Sequence, residues 1–183
     1  MSFSSLRDFL DHLESRGEFK RVPTPVDPVL EITEICQRTL RRNGPALLFE
    51  NPKGSSIPLL GNLFGSTRRV AAALGRQDIS ELREIGEMLA WLREPRLPRG
   101  IKELMDRFPL LRSILHARPR LRDNSPCRTH VIEGPDVDLA RFPIQHCWPE
   151  DAGRLITFGL VITRGPHKER QNIGIYRQQV IER

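Results

Sequence analysis

The sequence predicts an α/β (α+β) chain: an N-terminal α/β domain with a helical arm over residues 1–123, then, over 124–183, the opening strands of a second, mainly β domain. Three observations carry this expectation. Apolar residues recur at helical spacing in four segments before residue 95, short apolar runs separate them, and past residue 126 the composition turns to β-branched and aromatic residues.

Taken in order, residues 4–17 read as a helix, because Leu6, Phe9, Leu10 and Leu13 fall on one stripe, with Ser4 or Ser5 to cap it and Gly17 to end it. The segment EFKRV follows as a short strand. After the turn PTPVDP, the stretch VLEITEICQRTLRR places Leu30, Ile32, Ile35, Cys36, Thr39 and Leu40 at near-helical spacing, and Asn43-Gly44 stops it. PALLFE then reads as a buried strand and IPLLGNLFG as another. A helix is expected over 66–75, ended by Gly75. The next is capped by Asp78, carries Ile79, Leu82, Ile85, Met88, Leu89 and Leu92 on one stripe, and closes at Glu94-Pro95.

The arm contains prolines at 95, 98, 109, 119 and 126, and the domain boundary is placed near 123–126. Strands are expected near 128–133, 155–164 and 172–181, the last two adjacent. The chain stops at Ile181-Glu182-Arg183, with nothing beyond to pair the last edge, so the second domain reads as truncated.

Composition narrows the class. With 38% hydrophobic and 28% charged residues the chain can bury a core, and no window approaches the run of about 18 apolar residues that a membrane span needs. The N-terminus is amphipathic and does not have the form of a signal peptide, so a cytoplasmic location is expected. Cys36, Cys127 and Cys147 form no CxxC pair and are expected to be free thiols. A zinc set of Cys127, His130, His146 and Cys147 is disfavoured because His146 and Cys147 are adjacent.

The formal charge of +6 comes from 29 basic against 23 acidic residues. Residues 93–128 are rich in arginine, which admits a second reading of the chain as a basic, non-catalytic module for nucleic acid or an anionic surface. Few aromatic residues interleave there to stack on bases, so a solvated face is the reading preferred.

The segment most suggestive of chemistry is TRGPHKERQNIGIYRQQ. A long polar loop joins two strands there, and period-two alternation puts Asn172, Gly174, Tyr176 and Gln178 on one face and Ile173, Ile175, Arg177 and Gln179 on the other. An arginine inside an otherwise apolar strand is suited to meet an anion such as phosphate or carboxylate. Its alternative is a surface residue on a half-exposed strand. In HCWPEDAGRLIT, Trp148-Pro149 and Glu150-Asp151 form a rigid turn before a strand, and its carboxylates suit capping better than a metal site.

GPALLFENPKG, HCWPEDAG with the following LIT and TRGP, and above all HKERQNIGIYRQQ resemble the corresponding segments of UbiD-family decarboxylases, and the similarity runs from LRDFL at 6–10 onward. PVDPVLEITEI resembles the ubiquinone-pathway branch. The resemblance implies a split β-barrel domain that binds prenylated FMN, with Mn2+ and K+ holding its phosphate. It implies that Asn172 is a manganese ligand, that Ile175, Tyr176 and Arg177 contact the cofactor with Thr157 as a weaker contact, and that Arg177 belongs to the catalytic network. The reaction implied is decarboxylation of 3-polyprenyl-4-hydroxybenzoate to 2-polyprenylphenol. In it the substrate carbon attacks the flavin's azomethine ylide, carbon dioxide leaves, and an acidic residue delivers a proton. A flavin prenyltransferase as cofactor supplier, a homo-oligomer, peripheral association with the inner membrane and no nucleic-acid partner complete the expectation.

Overall fold

The computed structural model describes residues 3–94, 105, 125, 128–167 and 171–181. Within it a three-stranded sheet and four helices come first, and a two-stranded antiparallel ribbon comes last.

Helix α1 (Leu6–Ser15) begins where Ser5 Oγ accepts the Asp8 N–H, and Gly17, at φ +68, turns the chain out of it. Strand β1 (Phe19–Val22) pairs in parallel with β2 (Ala46–Phe49), and α2 (Glu31–Arg41) makes the crossover. The end of α2 matches its sequence signal: Asn43 adopts φ +52, and a Cβ on Gly44 would lie 2.6 Å from Thr39 Cγ2. Strand β2 alternates strictly. Ala46 joins Phe9, Leu13 and Phe19 in one core cluster, while Leu47 and Phe49 join Val26 and Ile32 in another, so both faces of the sheet are covered. Fully burying a side chain such as Phe49 or Ile32 contributes about 1.5–3 kcal/mol.

Strand β3 (Leu59–Gly61) runs antiparallel to β2 and is shorter than the run IPLLGNLFG suggests. Asn62, at φ +57, turns the chain away after three paired residues, and Ser66 caps α3 (Thr67–Ala73). Helix α4 (Ser80–Arg93) starts where the Asp78 carboxylate accepts the Ser80 N–H at 2.8 Å. Its apolar stripe forms, yet none of its described side chains is buried.

Residues 128–133 are not a strand. Val131 and Ile132 have strand composition, but among the described residues no strand runs beside them, and both are exposed. The chain continues through short 3-10 turns at Gly134–Asp136 and Leu139–Arg141 and is tied to the α/β unit along the way. Ser55 Oγ donates to the Arg141 carbonyl at 2.7 Å, Leu30 N–H to the His146 carbonyl at 2.9 Å, and His146 N–H to the Pro28 carbonyl at 3.2 Å. The expected turn at Trp148 is present, with the Asp151 carboxylate accepting the Trp148 N–H at 3.0 Å.

Strand β4 (Leu155–Arg164) then pairs with β5 (Gln171–Gln179), antiparallel and adjacent as expected. No described helix is long and apolar enough to cross a membrane. The arm over 95–123, the boundary at 123–126, Cys127 and Lys168 lie outside the described residues, apart from Met105 and Ser125.

Candidate functional site

All the site residues singled out in the sequence lie on the β4–β5 ribbon. Its register places Leu160 opposite Ile175 and Ile162 opposite Ile173 on one face, and Val161 opposite Gly174 and Thr163 opposite Asn172 on the other. Alternation then assigns Arg177 to the Ile173 and Ile175 face, and Tyr176 and Asn172 to the other. Asn172 and Arg177 therefore sit on opposite faces, five residues apart, roughly 17 Å along the strand at the usual rise. The ribbon does not by itself bring them together.

Thr157 and Arg177 are brought together. Ile156 pairs with Gln178 and Gly159 with Tyr176, so two residues of β4, Thr157 and Phe158, face the single residue Arg177. That is a β-bulge, which bends the strand, increases its twist and re-aims the side chains around it. No sequence signal marked it, because a bulge is a difference in residue count between two strands.

Two glycines shape the Tyr176 side. A Cβ on Gly174 would come within 2.4 Å of Tyr176 Cε2, so the ring lies over Gly174. A Cβ on Gly159, directly across from Tyr176, would lie 3.1 Å from the Tyr176 carbonyl oxygen. Tyr176 thus occupies space that only glycine leaves open. A planar ligand resting on the Ile175 and Arg177 face meets Tyr176 only through its main chain.

Electrostatically the ribbon is one-sided. Strands β4 and β5 carry Arg164 and Arg177 and no acidic residue. Arg177 is exposed and has no ion pair among the described residues, so it is available to an anion from outside the ribbon. Asn172 offers a carbonyl oxygen beside the Thr163 hydroxyl, donors suited to a hard cation. Among the described residues no three His, Cys, Asp or Glu side chains converge, so Asn172 is a single donor and not a formed metal centre.

Away from the ribbon, the sequence reading missed Arg69. Its guanidinium is buried beside Glu18, 3.1 Å from the carboxylate, and also donates to the carbonyls of Leu63, Gly44 and Asn62. Cys36 and Cys147 are both free, and burial, with a smaller contribution from Cys147, pushes the Cys36 thiol up to about 11.

The model of the 3-octaprenyl-4-hydroxybenzoate carboxy-lyase N-terminal domain matches residues 10–89, and that of the carboxy-lyase Rift-related domain matches residues 120–183. The chain belongs to the UbiD family. Among solved structures it is similar to an evolved dimeric form of the UbiD-class enzyme HmfF from Pelotomaculum thermopropionicum in complex with prFMN. Identity there is 30%, over 97% of this chain and 36% of that one, with a TM-score of 0.74. It is also similar to vanillic acid decarboxylase from Sedimentibacter hydroxybenzoicus in open form, at 26% identity over 100% of this chain and 37% of that one, TM-score 0.75. This UbiD-family chain thus spans about a third of the length of these relatives.

Proposed function

We propose that this chain serves a prenylated-FMN-dependent decarboxylase that converts 3-polyprenyl-4-hydroxybenzoate to 2-polyprenylphenol in ubiquinone synthesis. The observation that carries the reading is Arg177, an exposed cation with no carboxylate partner among the described residues, opposite the β4 bulge on two strands that hold no acidic residue, in a UbiD-family chain. The similarity to an enzyme solved with prFMN and to a vanillic acid decarboxylase supports the cofactor and an aromatic acid as substrate class.

When bound, the prenylated flavin supplies the electron sink that decarboxylation of an aromatic carbon requires. The chain's residues hold and orient. The Arg177 guanidinium grips the substrate carboxylate through parallel N–H donors, with the Thr157 hydroxyl beside it across the bulge. Ile175 offers an aliphatic surface to the flavin on the same face. Asn172 would contribute one neutral oxygen to Mn2+, which together with K+ would hold the flavin phosphate. A flavin prenyltransferase would supply the cofactor. A homo-oligomer at the cytoplasmic side of the inner membrane suits a substrate with a polyprenyl tail.

The test is carbon dioxide release from 3-octaprenyl-4-hydroxybenzoate by a full-length enzyme that carries this chain, isolated with its flavin, compared with its Arg177→Lys variant; the 183-residue chain alone is expected to be inactive. Lysine keeps the charge but loses the planar fork, and turnover is expected to fall roughly a hundredfold or more. Release no higher than in a protein-free control, or near-wild-type turnover in Arg177→Lys, overturns the reading.

A further inference from the structure

We infer that Phe64, on the α/β unit, is a positioning residue for Arg177: through Phe158 it sets the β4 bulge that aims the arginine. The inference rests on the reading of Arg177 as the group that grips the substrate carboxylate.

The buried guanidinium of Arg69 fixes the loop that carries Phe64. Its Nε donates to the Leu63 carbonyl at 3.1 Å and its Nη2 to the Asn62 carbonyl at 3.2 Å, so the two residues before Phe64 are held by one rigid fork. Glu18 anchors the fork from the start of β1. On the other side of Phe64, Gly65 leaves room where a Cβ would lie 2.8 Å from Leu40 Cδ1 and 3.0 Å from Arg69 Nη2. Asn62, at φ +57, turns the loop outward. A tight loop pinned at both flanks thus presents one aromatic side chain.

That ring joins a row. Phe3 meets Phe9 at 5.0 Å between centroids, Phe9 stacks on Phe64 at 6.4 Å, and Phe64 meets Phe158 at 6.1 Å, tilted by 44°. The row therefore begins in the core of the α/β unit and ends on one of the two bulge residues that face Arg177. A bulge with no support can relax by shifting which residue is extra, and each shift turns the arginine's surroundings. Anchoring Phe158 on a pinned loop selects one register, and an aromatic pair at these distances is of the kind that contributes beyond simple burial.

The test uses the 183-residue chain and amide hydrogen exchange read by NMR, together with the Arg177 Nε–H resonance. In Phe64→Ala, exchange at Gly159 and Tyr176 should quicken roughly three- to tenfold and the Arg177 Nε–H signal should move, while Leu47 and Phe49 in β2 keep their protection. Phe64→Tyr, which retains the ring, should restore the wild-type pattern, a rescue that loop packing alone does not require. If Phe64→Ala also loosens β2, Phe64→Leu, which keeps the apolar bulk, is read in its place. Wild-type exchange at Gly159 and an unmoved Arg177 signal in the variant with an intact β2 overturn the inference. The two readings fail separately. Normal turnover in Arg177→Lys removes the arginine from the chemistry whatever Phe64 does, whereas an inactive Arg177→Lys with an unmoved bulge in Phe64→Ala removes only the positioning role.

Discussion

The α/β unit and the β4–β5 ribbon use apolar residues in opposite ways. In the former, Ile32, Ala46 and Phe49 are wholly buried on the two faces of one small sheet. In the latter, Leu160, Ile162, Ile173 and Ile175 form a continuous apolar face, each more than 60% exposed. The segments that carry the family resemblance most strongly lie on the ribbon, where side chains are not committed to packing. The difference separates two classes of substitution: changes at the buried side chains of the α/β unit should act on stability, and changes on the ribbon, or at the Phe64 contact to it, on ligand geometry.

The largest effect should come from Arg69→Ala. It leaves the mostly buried Glu18 with only the exposed Arg68 to pair with and strips donors from the carbonyls of Asn62, Leu63 and Gly44. Breaking a buried pair in this way costs about 3–5 kcal/mol. The neighbouring Arg68 pairs with the same carboxylate, but its side chain is 78% exposed against 2% for Arg69, so Arg68→Ala should cost less than about 1 kcal/mol. Urea midpoints of the two variants check this. Equal losses would remove the buried pair from its place in the comparison.

That pair also marks what the sequence could and could not reveal. Helix α1 was legible because its signals are local: a serine cap, a stripe of Phe9 and Leu13, a terminal glycine. The β4–β5 pairing was legible from alternation alone. Arg68 and Arg69 are adjacent and chemically identical, and only carbonyls from segments around 44 and 62–63, with a carboxylate at 18, single out one of them. The bulge escaped for the same reason, since it depends on the partner strand. Residues 128–133 misled in the opposite direction, their β-branched composition having no strand beside it among the described residues. On the ribbon, the strands and the alternation of their faces were readable, but the placement of Thr157 against Arg177 was not.

A smaller effect is expected within the ribbon, from Gly174→Ala. The added methyl would fall within 2.4 Å of the Tyr176 ring, which is exposed and free to swing away. The stability cost should stay near 1 kcal/mol, while the ring changes position. Tyr176 is the only tyrosine in the chain, so its ring resonances report the movement without ambiguity. A large stability loss with unmoved Tyr176 signals would contradict the division between packing and ligand geometry.

The smallest effect tests the α/β side of the comparison through pH. Cys36 sits on α2 with its sulfur where a Cβ on Gly61 would fall, and burial raises its thiol from an ordinary 9.0 to about 11. In the folded protein the neutral thiol is favoured, whereas the unfolded chain releases the proton at the ordinary value. Below about pH 9 both states keep the proton and stability does not depend on this group. As pH rises from 9 towards 11 the unfolded state alone loses protons, so the folded state loses stability, and above 11 both are ionised and the loss levels off. Wild-type and Cys36→Ala chains, unfolded in urea at steps from pH 8 to 11.5, should therefore show a stability difference that is constant at first and then shifts against the wild type across that window. Groups common to both proteins cancel in the difference. A difference that stays flat from pH 8 to 11.5 would place the Cys36 thiol in water, and with it the inner face of α2 outside the packed half of the molecule.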